Sequence, residues 1–382
     1  MNANEPLTKV NPWMIALSVM LATFMEVLDT SIANVSLRHI AGSLSVSADE
    51  STWVLTTYLI SNAIVIPATA WFGNRFGRKR FLMACVAIFT VASFLCGLAT
   101  SLPMLLAMRI LQGAGGGALQ PIAQSILLES FPKEKHGQAM GVYGLGVVTA
   151  PILGPVLGGW ITDNYSWRWI FFINVPVGIV ALALMQRFIH DPGWIKNSSR
   201  TRLDVIGLGF MSLWLGCQEV LLDKGQEDDW FGSNFIIVMA GLAVVGLAVF
   251  IARELTTATP FVDLRVLKNY NFTLGLVLMF FAGLTLYSLT AIIPLYLQSL
   301  MGYTALQSGY AMVPRGIGAV IAMPIAGKLV GKIQGRYLAA GGFLSFGTAA
   351  YALAHISPDI TPRVLFWPLF LSGVSIAFMF VP

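Results

Sequence analysis

Twelve apolar windows follow one another along the 382 residues, centred near positions 24, 61, 90, 112, 150, 178, 212, 244, 284, 316, 345 and 373. Each has about the 18 to 25 residues that a helix needs to cross a bilayer. In lipid such windows must be helical, because open sheet edges and irregular segments leave backbone N–H and C=O groups without partners. The sequence therefore predicts an all-α polytopic membrane protein. Only 11% of its residues are charged, against roughly a quarter in soluble domains, which excludes a soluble enzyme. The net charge of +5 would suit nucleic acid, but the basic residues sit in short connections between windows, where they set orientation instead.

Arg75, Arg78, Lys79 and Arg80 follow the second window, Lys133 and Lys135 the fourth, Lys196, Arg200 and Arg202 the sixth. Arg253, Arg265 and Lys268 follow the eighth, and Lys328, Lys332 and Arg336 the tenth. The alternate connections are poor in Lys and Arg, and the one after the seventh window is acidic, with Asp223, Glu227, Asp228 and Asp229. Positive charge stays on the cytoplasmic side, so these five connections and the N-terminus are expected in the cytoplasm. The opening MNANEPLTKVNP does not have the layout of a cleaved signal peptide, so the first span is expected to target the chain.

Composition shifts between His190 and Arg202, with Pro192, Gly193, Asn197, Ser198 and Ser199, and again between Thr256 and Asn271. The expected division is six windows in residues 1–190, a cytoplasmic linker at 191–202, an inserted pair at 203–255 and four windows at 256–382. A repeat indicates which windows correspond. PATAWFGNRFGR at 67–78 resembles PIAGKLVGKIQGR at 324–336, pairing Pro67 with Pro324 and, one inserted residue later, Gly77 with Gly335. On that alignment the last four windows repeat the first four, and the apolar end at Phe380 and Val381 leads us to expect two further spans beyond Pro382.

One window differs from the rest. GLGVVTAPILGPVLGGW at 144–160 carries Gly144, Gly146, Gly154, Gly158, Gly159, Pro151 and Pro155. In a water-exposed helix each interior glycine costs about 1 kcal/mol and each proline about 3 relative to alanine. In lipid the helix persists, and neighbours accommodate the carbonyls that proline leaves without a donor. Gly154 and Gly158 stand one turn apart, which lets another backbone come close. The expectation is a bent, tightly packed helix.

Ionisable residues at membrane depth are costly and usually line a cavity or a proton route. Glu26 and Asp29 lie three apart in the first window and so share a helical face. Burial raises a carboxyl pKa and a nearby cation lowers it, so such a group can be poised to exchange a proton. Arg109 in the fourth window is the obvious partner, with Gln112 one turn on and Gly113, Gly115, Gly116 and Gly117 leaving room for a neighbour; a packing clamp would use the same residues. Arg315 in the tenth window suits substrate contact or helix packing equally. The loop GNRFGRKR at 73–80 suffices as a topology signal, and Gly77 also permits a tight turn that would let the basic groups clamp helix ends. Cys85, Cys96 and Cys217 lie within windows with no metal or disulfide spacing. GAGGGA is not followed by the Lys and hydroxyl residue of a phosphate loop, which argues against ATP as the energy source. His39, His136, His190 and His355 are scattered. No metal or cofactor is expected.

At these residues the chain resembles the major facilitator superfamily and, within it, the fourteen-span drug:H+ antiporters of the EmrB and QacA type. Leu28, Asp29, Ser31, Ile32, Asn34, Val35 and Leu37 resemble that family's first-span signature. Arg75, Gly77, Arg78, Lys79 and Arg80 resemble its loop after the second span, and Arg109, Gln112, Gly113 and Gly115 its fourth-span motif. Gly144, Pro151, Gly154, Pro155, Gly158 and Gly159 resemble its fifth-span antiporter motif, the most specific of the four. Three positions depart: Asn74 stands where the family usually has aspartate, Ala70 where it has glycine, and Arg38 where it has proline.

The resemblance implies two six-helix lobes with two inserted helices, the second lobe incomplete here, working by alternating access. It implies export of lipophilic small molecules against protons across the bacterial inner membrane. Asp29, Glu26 and Arg109 would couple protons, and Asn34, Gln112 and Arg315 would line the substrate cavity. Asn74, Arg75, Gly77 and Arg78 would form the cytoplasmic gate loop. A periplasmic adaptor of the EmrA kind and an outer-membrane channel would be the partners. The rival expectations are a solute-specific exporter or symporter, a polytopic lipid-modifying enzyme, and a non-transporting scaffold or sensor.

Overall fold

The computed structural model describes residues 11–191, 203–330, 332–356 and 362–381. The expected linker from Pro192 onward, with Lys196, Arg200 and Arg202, lies outside the described residues, as does Pro382. The described residues form helices and their connections, with no strand among them. Ten helices are long and apolar enough to cross a membrane. They coincide with ten of the twelve expected windows. The window near 112 is split into two shorter helices, and the window near 373 is the shorter apolar stretch Val364–Phe380.

Helix α1 (Pro12–Leu44) starts where Asn11 accepts the Trp13 N–H and Pro12 occupies the first turn, a position where proline's missing donor costs nothing. Arg38 at the position of the family's proline leaves α1 continuous to Leu44. Ser18 and Ser36 are buried in it and donate to the carbonyls of Met14 and Ile32, which satisfies each hydroxyl within the helix. Helix α2 (Ala48–Phe76) opens on a capping box, in which Ser47 and Glu50 each accept the other's backbone N–H at 2.8–3.1 Å. It ends at Gly77, whose φ of 89° is a conformation that side chains rarely adopt.

The packing divides into two compact units. The first contains α2, α3 (Arg78–Gly97), α4 (Leu102–Gly116), most of α5 (Leu119–Ser130), α8 (Asn174–Phe188), α9 (Val205–Lys224) and α10 (Asn234–Thr256). Here α4 lies against α2 on one side and α3 on the other. Gly113 and Gly117, one turn apart, face the carbonyls of Tyr58 and Asn62 on α2, and a Cβ at Gly115 would lie 2.7 Å from the Phe89 nitrogen on α3. The glycine run thus serves two backbones at once. Helices α9 and α10 pack together, with Trp214 stacked on Phe250 and Gly246 against the Trp214 backbone. Lys224 pins α9 to α2: it is 3% exposed, its Nζ donates to the Asp49 carbonyl, and it pairs with Glu227 at 2.6 Å.

The second unit contains residues 23–36 of α1, α6 (His136–Asn164), α11 (Tyr270–Ser299), α12 (Ala305–Ala311), α13 (Val313–Leu329), α14 (Gly335–Ala354) and α15 (Pro362–Phe380). The four-residue α7 (Trp169–Phe172) joins the two units in sequence. Val148, Leu286, Ala319, Met323, Ile376 and Ala377 bring α6, α11, α13 and α15 to one core. Helix α6 meets α13 through glycine: a Cβ at Gly137 would lie 2.7 Å from the Gly327 carbonyl oxygen, and one at Gly327 would lie 2.6 Å from that of Gly137. Pro67 and Pro324 of the repeat both lie inside helices. Its glycines differ, Gly77 being a turn and Gly335 the first residue of α14.

Two outcomes follow from this packing. Gly137→Leu should lower stability by about 1–3 kcal/mol, because no side chain fits between two backbones, while Gly209→Leu, with open space at its Cβ position, should leave the melting temperature in detergent unchanged. At the start of α9, burial pushes the Asp204 carboxyl up, but the Gly207 N–H and the Arg253 guanidinium outweigh it and hold it below the usual carboxylate range. Stability from a lowered carboxyl pKa is present above the unfolded value and lost as pH falls through the folded one. Asp204→Asn should therefore cost about 1–2 kcal/mol near neutrality, and melting curves should show that gap closing below about pH 4.

Candidate functional site

In the first unit the side chain of Arg109 is completely buried. Its Nε donates to the Val54 carbonyl at 3.0 Å and its Nη1 to Gln112 Oε1 at 2.7 Å, and its guanidinium lies 4.2 Å from the centre of the Tyr58 ring. Gln112 is itself fully buried and also faces the Cys96 thiol at 3.6 Å. The glycines of α4 make this possible, since they bring α2 close enough for a side chain of α4 to reach an α2 carbonyl. Such an arrangement holds the guanidinium inside the helix packing, with the Val54 carbonyl and Gln112 as its acceptors. In the same unit Asn174 donates to Ser93, and Ser93 to the Phe171 carbonyl.

In the second unit the segment 23–36 of α1 carries Glu26, 6% exposed, and Asp29, 2% exposed. This segment is held by α6. Gly154 faces Ser31, and Gly158 faces Ile32, a Cβ there lying 3.3 Å from its carbonyl oxygen. Pro155 has no N–H, so the Pro151 carbonyl one turn earlier has no helical donor. The Ser31 hydroxyl supplies one at 3.2 Å. Helix α6 consequently runs unbroken through both prolines from His136 to Asn164. Gly159 is buried, and Gly144 faces the flexible end of Met323. Asn34 on the same α1 segment is exposed.

Arg315, near the start of α13, is 2% exposed and donates to Thr290 Oγ1 at 2.8 Å and to the Leu286 carbonyl at 2.9 Å on α11. In the segment that joins α2 to α3, Asn74 and Arg75 lie exposed on the last turn of α2, and Arg78 donates to Ser125 at 2.8 Å. The turn at Gly77 is fixed by Asp191, which sequence reasoning missed. Its carboxylate accepts the Lys79 N–H at 2.7 Å and would lie 2.6 Å from a Gly77 Cβ, and Lys79 Nζ reaches the Gln186 carbonyl. A lone aspartate just after an apolar window is the only sequence signal for this, and it does not identify the partner. Gly137 and Gly141 were also missed, although with Gly144 they form a small-residue row at helical spacing.

Packed apolar helices, ten of them long enough to cross a bilayer, define a polytopic membrane protein. The chain belongs to the Major Facilitator Superfamily, whose family model matches residues 19–382. It is 37% identical over 383 residues to the multidrug export protein EmrB of Escherichia coli K12, covering 100% of this chain and 74% of that protein. It is 39% identical over 368 residues to the fatty acid resistance protein FarB of Neisseria gonorrhoeae, covering 96% and 72% respectively. Among solved structures, the proton:xylose symporter XylE superposes with a TM-score of 0.69 at 14% identity, covering 97% of this chain and 80% of that one. That likeness is one of fold. The relatives and the fold are those of transporters, and the chain is of the EmrB type.

The Ser31 contact can be isolated by a double-mutant cycle. Ser31→Ala alone should cost about 0.6–1 kcal/mol, since it strands the Pro151 carbonyl. In a Pro155→Ala background the restored N–H serves that carbonyl, and the same substitution should then cost almost nothing in a thermal melt.

Proposed function

We propose that this chain is a multidrug efflux transporter that exports hydrophobic and amphipathic compounds against proton entry by alternating access. The observation that carries the reading is the pair Glu26 and Asp29, almost completely buried on a helical segment that α6 grips through Gly154 and Gly158. A carboxyl group there changes its proton affinity strongly with small changes in its surroundings. Asp29 carries the exchangeable proton, Glu26 assists, and the permanent charge of Arg109 biases the protonation. Asn34, Gln112 and Arg315 belong to the substrate cavity, and Asn74, Arg75, Gly77 and Arg78 to the cytoplasmic gate. The fifth-span residues Gly144, Pro151, Gly154, Pro155, Gly158 and Gly159 form the surface on which the helices rock.

In this reading residues 1–190 are the first lobe, 203–255 an inserted helix pair joined to it by a cytoplasmic linker at 191–202, and 256–382 the first four helices of the second lobe. The protein sits in the bacterial inner membrane with its N-terminus in the cytoplasm and hands cargo to a periplasmic adaptor and an outer-membrane channel.

In proteoliposomes a substrate gradient should drive protons in the direction opposite to the substrate, and a panel of lipophilic compounds should each do so. Asp29→Asn should reduce this flux to the level of empty liposomes while the protein still elutes as a folded species. Proton movement in the same direction as substrate would instead define a symporter, and full flux through Asp29→Asn would remove Asp29 from the proton path.

A further inference from the structure

Helix α10 carries no charged residue from 234 to 252, and Arg253 and Glu254 follow in its last turn. Glu254 is 1% exposed. Its Oε2 accepts the Val262 N–H at 3.0 Å, which folds the connection after α10 back against the helix. Its Oε1 is buried with no hydrogen-bond partner among the described residues. Such an oxygen is rare, since buried polar atoms are almost always paired. The efflux reading gives it no task.

Asp204, 8% exposed at the start of α9, stands across the same space. A Cβ at Gly207 would lie 2.5 Å from Glu254 Oε1 and 3.3 Å from Asp204 Oδ2, so the two carboxyl groups close on one point from two helices. Arg253 directs both Nε and Nη2 to Asp204, at 3.0 and 3.4 Å, and its side chain is 39% exposed. Asp263, Arg265 and Lys268, on the turn that follows, are exposed, and the connection 257–262 has no titratable side chain. Two buried carboxyl groups thus share one guanidinium. Were both ionised, one negative charge would remain in the packing without a counter-charge, which is unfavourable, and the first ionisation would oppose the second. A proton on Oε1 removes both difficulties, because it neutralises Glu254 and makes Oε1 a donor toward Asp204.

We propose that Glu254 is a proton-binding site at the junction of α9 and α10, and that its occupancy sets how firmly the connection 257–262 is held. With the proton bound, Glu254 stays inside, Oε1 donates to Asp204 and Oε2 keeps the Val262 N–H. As the pH on that side of the membrane rises, the Oε1–H bond breaks and the proton passes to water. The second negative charge beside Asp204 then drives the side chain outward, and the Val262 contact goes with it. The connection leads in sequence to α11, so a change of pH becomes a change in the freedom of the chain that enters that helix. The inference does not use the export reading, and each stands without the other.

The test places a nitroxide on Thr259→Cys, an exposed position of the connection, in the full chain in lipid nanodiscs; the native cysteines are buried. With Glu254 intact the label should loosen in one step as the pH is raised, with a midpoint above the value of about 4.3 at which an exposed glutamate titrates. Glu254→Gln keeps an acceptor for Val262 and a donor for Asp204 but cannot ionise, and it should leave the label tight throughout. Glu254→Ala should leave it loose throughout. Asp204→Asn removes the neighbouring charge and should lower the midpoint by about one pH unit or more, a result that decides the matter even where Glu254→Gln does not fold. Infrared spectra supply a second readout: below the midpoint the chain should show the carbonyl stretch of a protonated carboxylic acid that Glu254→Gln lacks. A Glu254 that merely ties down the Val262 N–H would give a label whose mobility is the same at every pH, and that result, or a midpoint unmoved by Asp204→Asn, would overturn the proposal. Asp29→Asn should leave the step in place; its loss there would assign the proton elsewhere and overturn the proposal too. Failure of proton-driven export with the step intact would count against the export reading and leave this site standing.

Discussion

The fold depends on the requirement that every backbone polar group at membrane depth find a partner inside the protein. Pro155 breaks that rule within α6 by leaving the Pro151 carbonyl without a donor, and Ser31 repairs it from another helix. The contact requires the two backbones to be close, which is what Gly154 allows by facing Ser31 directly. One missing N–H thus fixes the position of the α1 segment that bears Asp29, two residues before Ser31. The proline, the glycine and the serine are one device, although they lie on two helices more than a hundred residues apart in sequence.

The same economy of space governs the first unit. Arg109 can reach the Val54 carbonyl because Gly113 and Gly117 let α4 settle onto α2. A larger residue at either glycine would move the guanidinium outward before it altered any charge. Electrostatics here follows from backbone separation, and the glycine run is best understood as the foundation of the arginine site rather than as a separate motif. Between α2 and α3, likewise, the turn at Gly77 makes room for the Asp191 carboxylate against the Lys79 N–H.

What could be read from the sequence was whatever repeats with a period or carries a charge in an unusual place. The helical class, the positions of ten of the twelve windows and the tight turn at Gly77 follow from apolar length and from glycine, and they match the structure. The split between α4 and α5 was not foreseen, since its break lies where Gly117 meets the Asn62 carbonyl on another helix. Partners were harder still to foresee than positions. Nothing in the sequence says that Ser31 serves Pro151, that Asp191 holds the gate turn, or that Lys224 anchors α9 to α2, because each depends on which helices become neighbours. The row Gly137, Gly141 and Gly144 was legible in principle by its spacing, yet its meaning comes only from Gly327 opposite.

The cations differ in the groups that meet them. Lys224 and Arg253 lie at helix ends, where a carboxylate of the same unit neutralises each of them. Arg315 lies beside three prolines and donates to a hydroxyl and a backbone carbonyl. If its purpose were to join α13 to α11, a neutral donor such as glutamine would make a similar pair of hydrogen bonds without the cost of a buried charge.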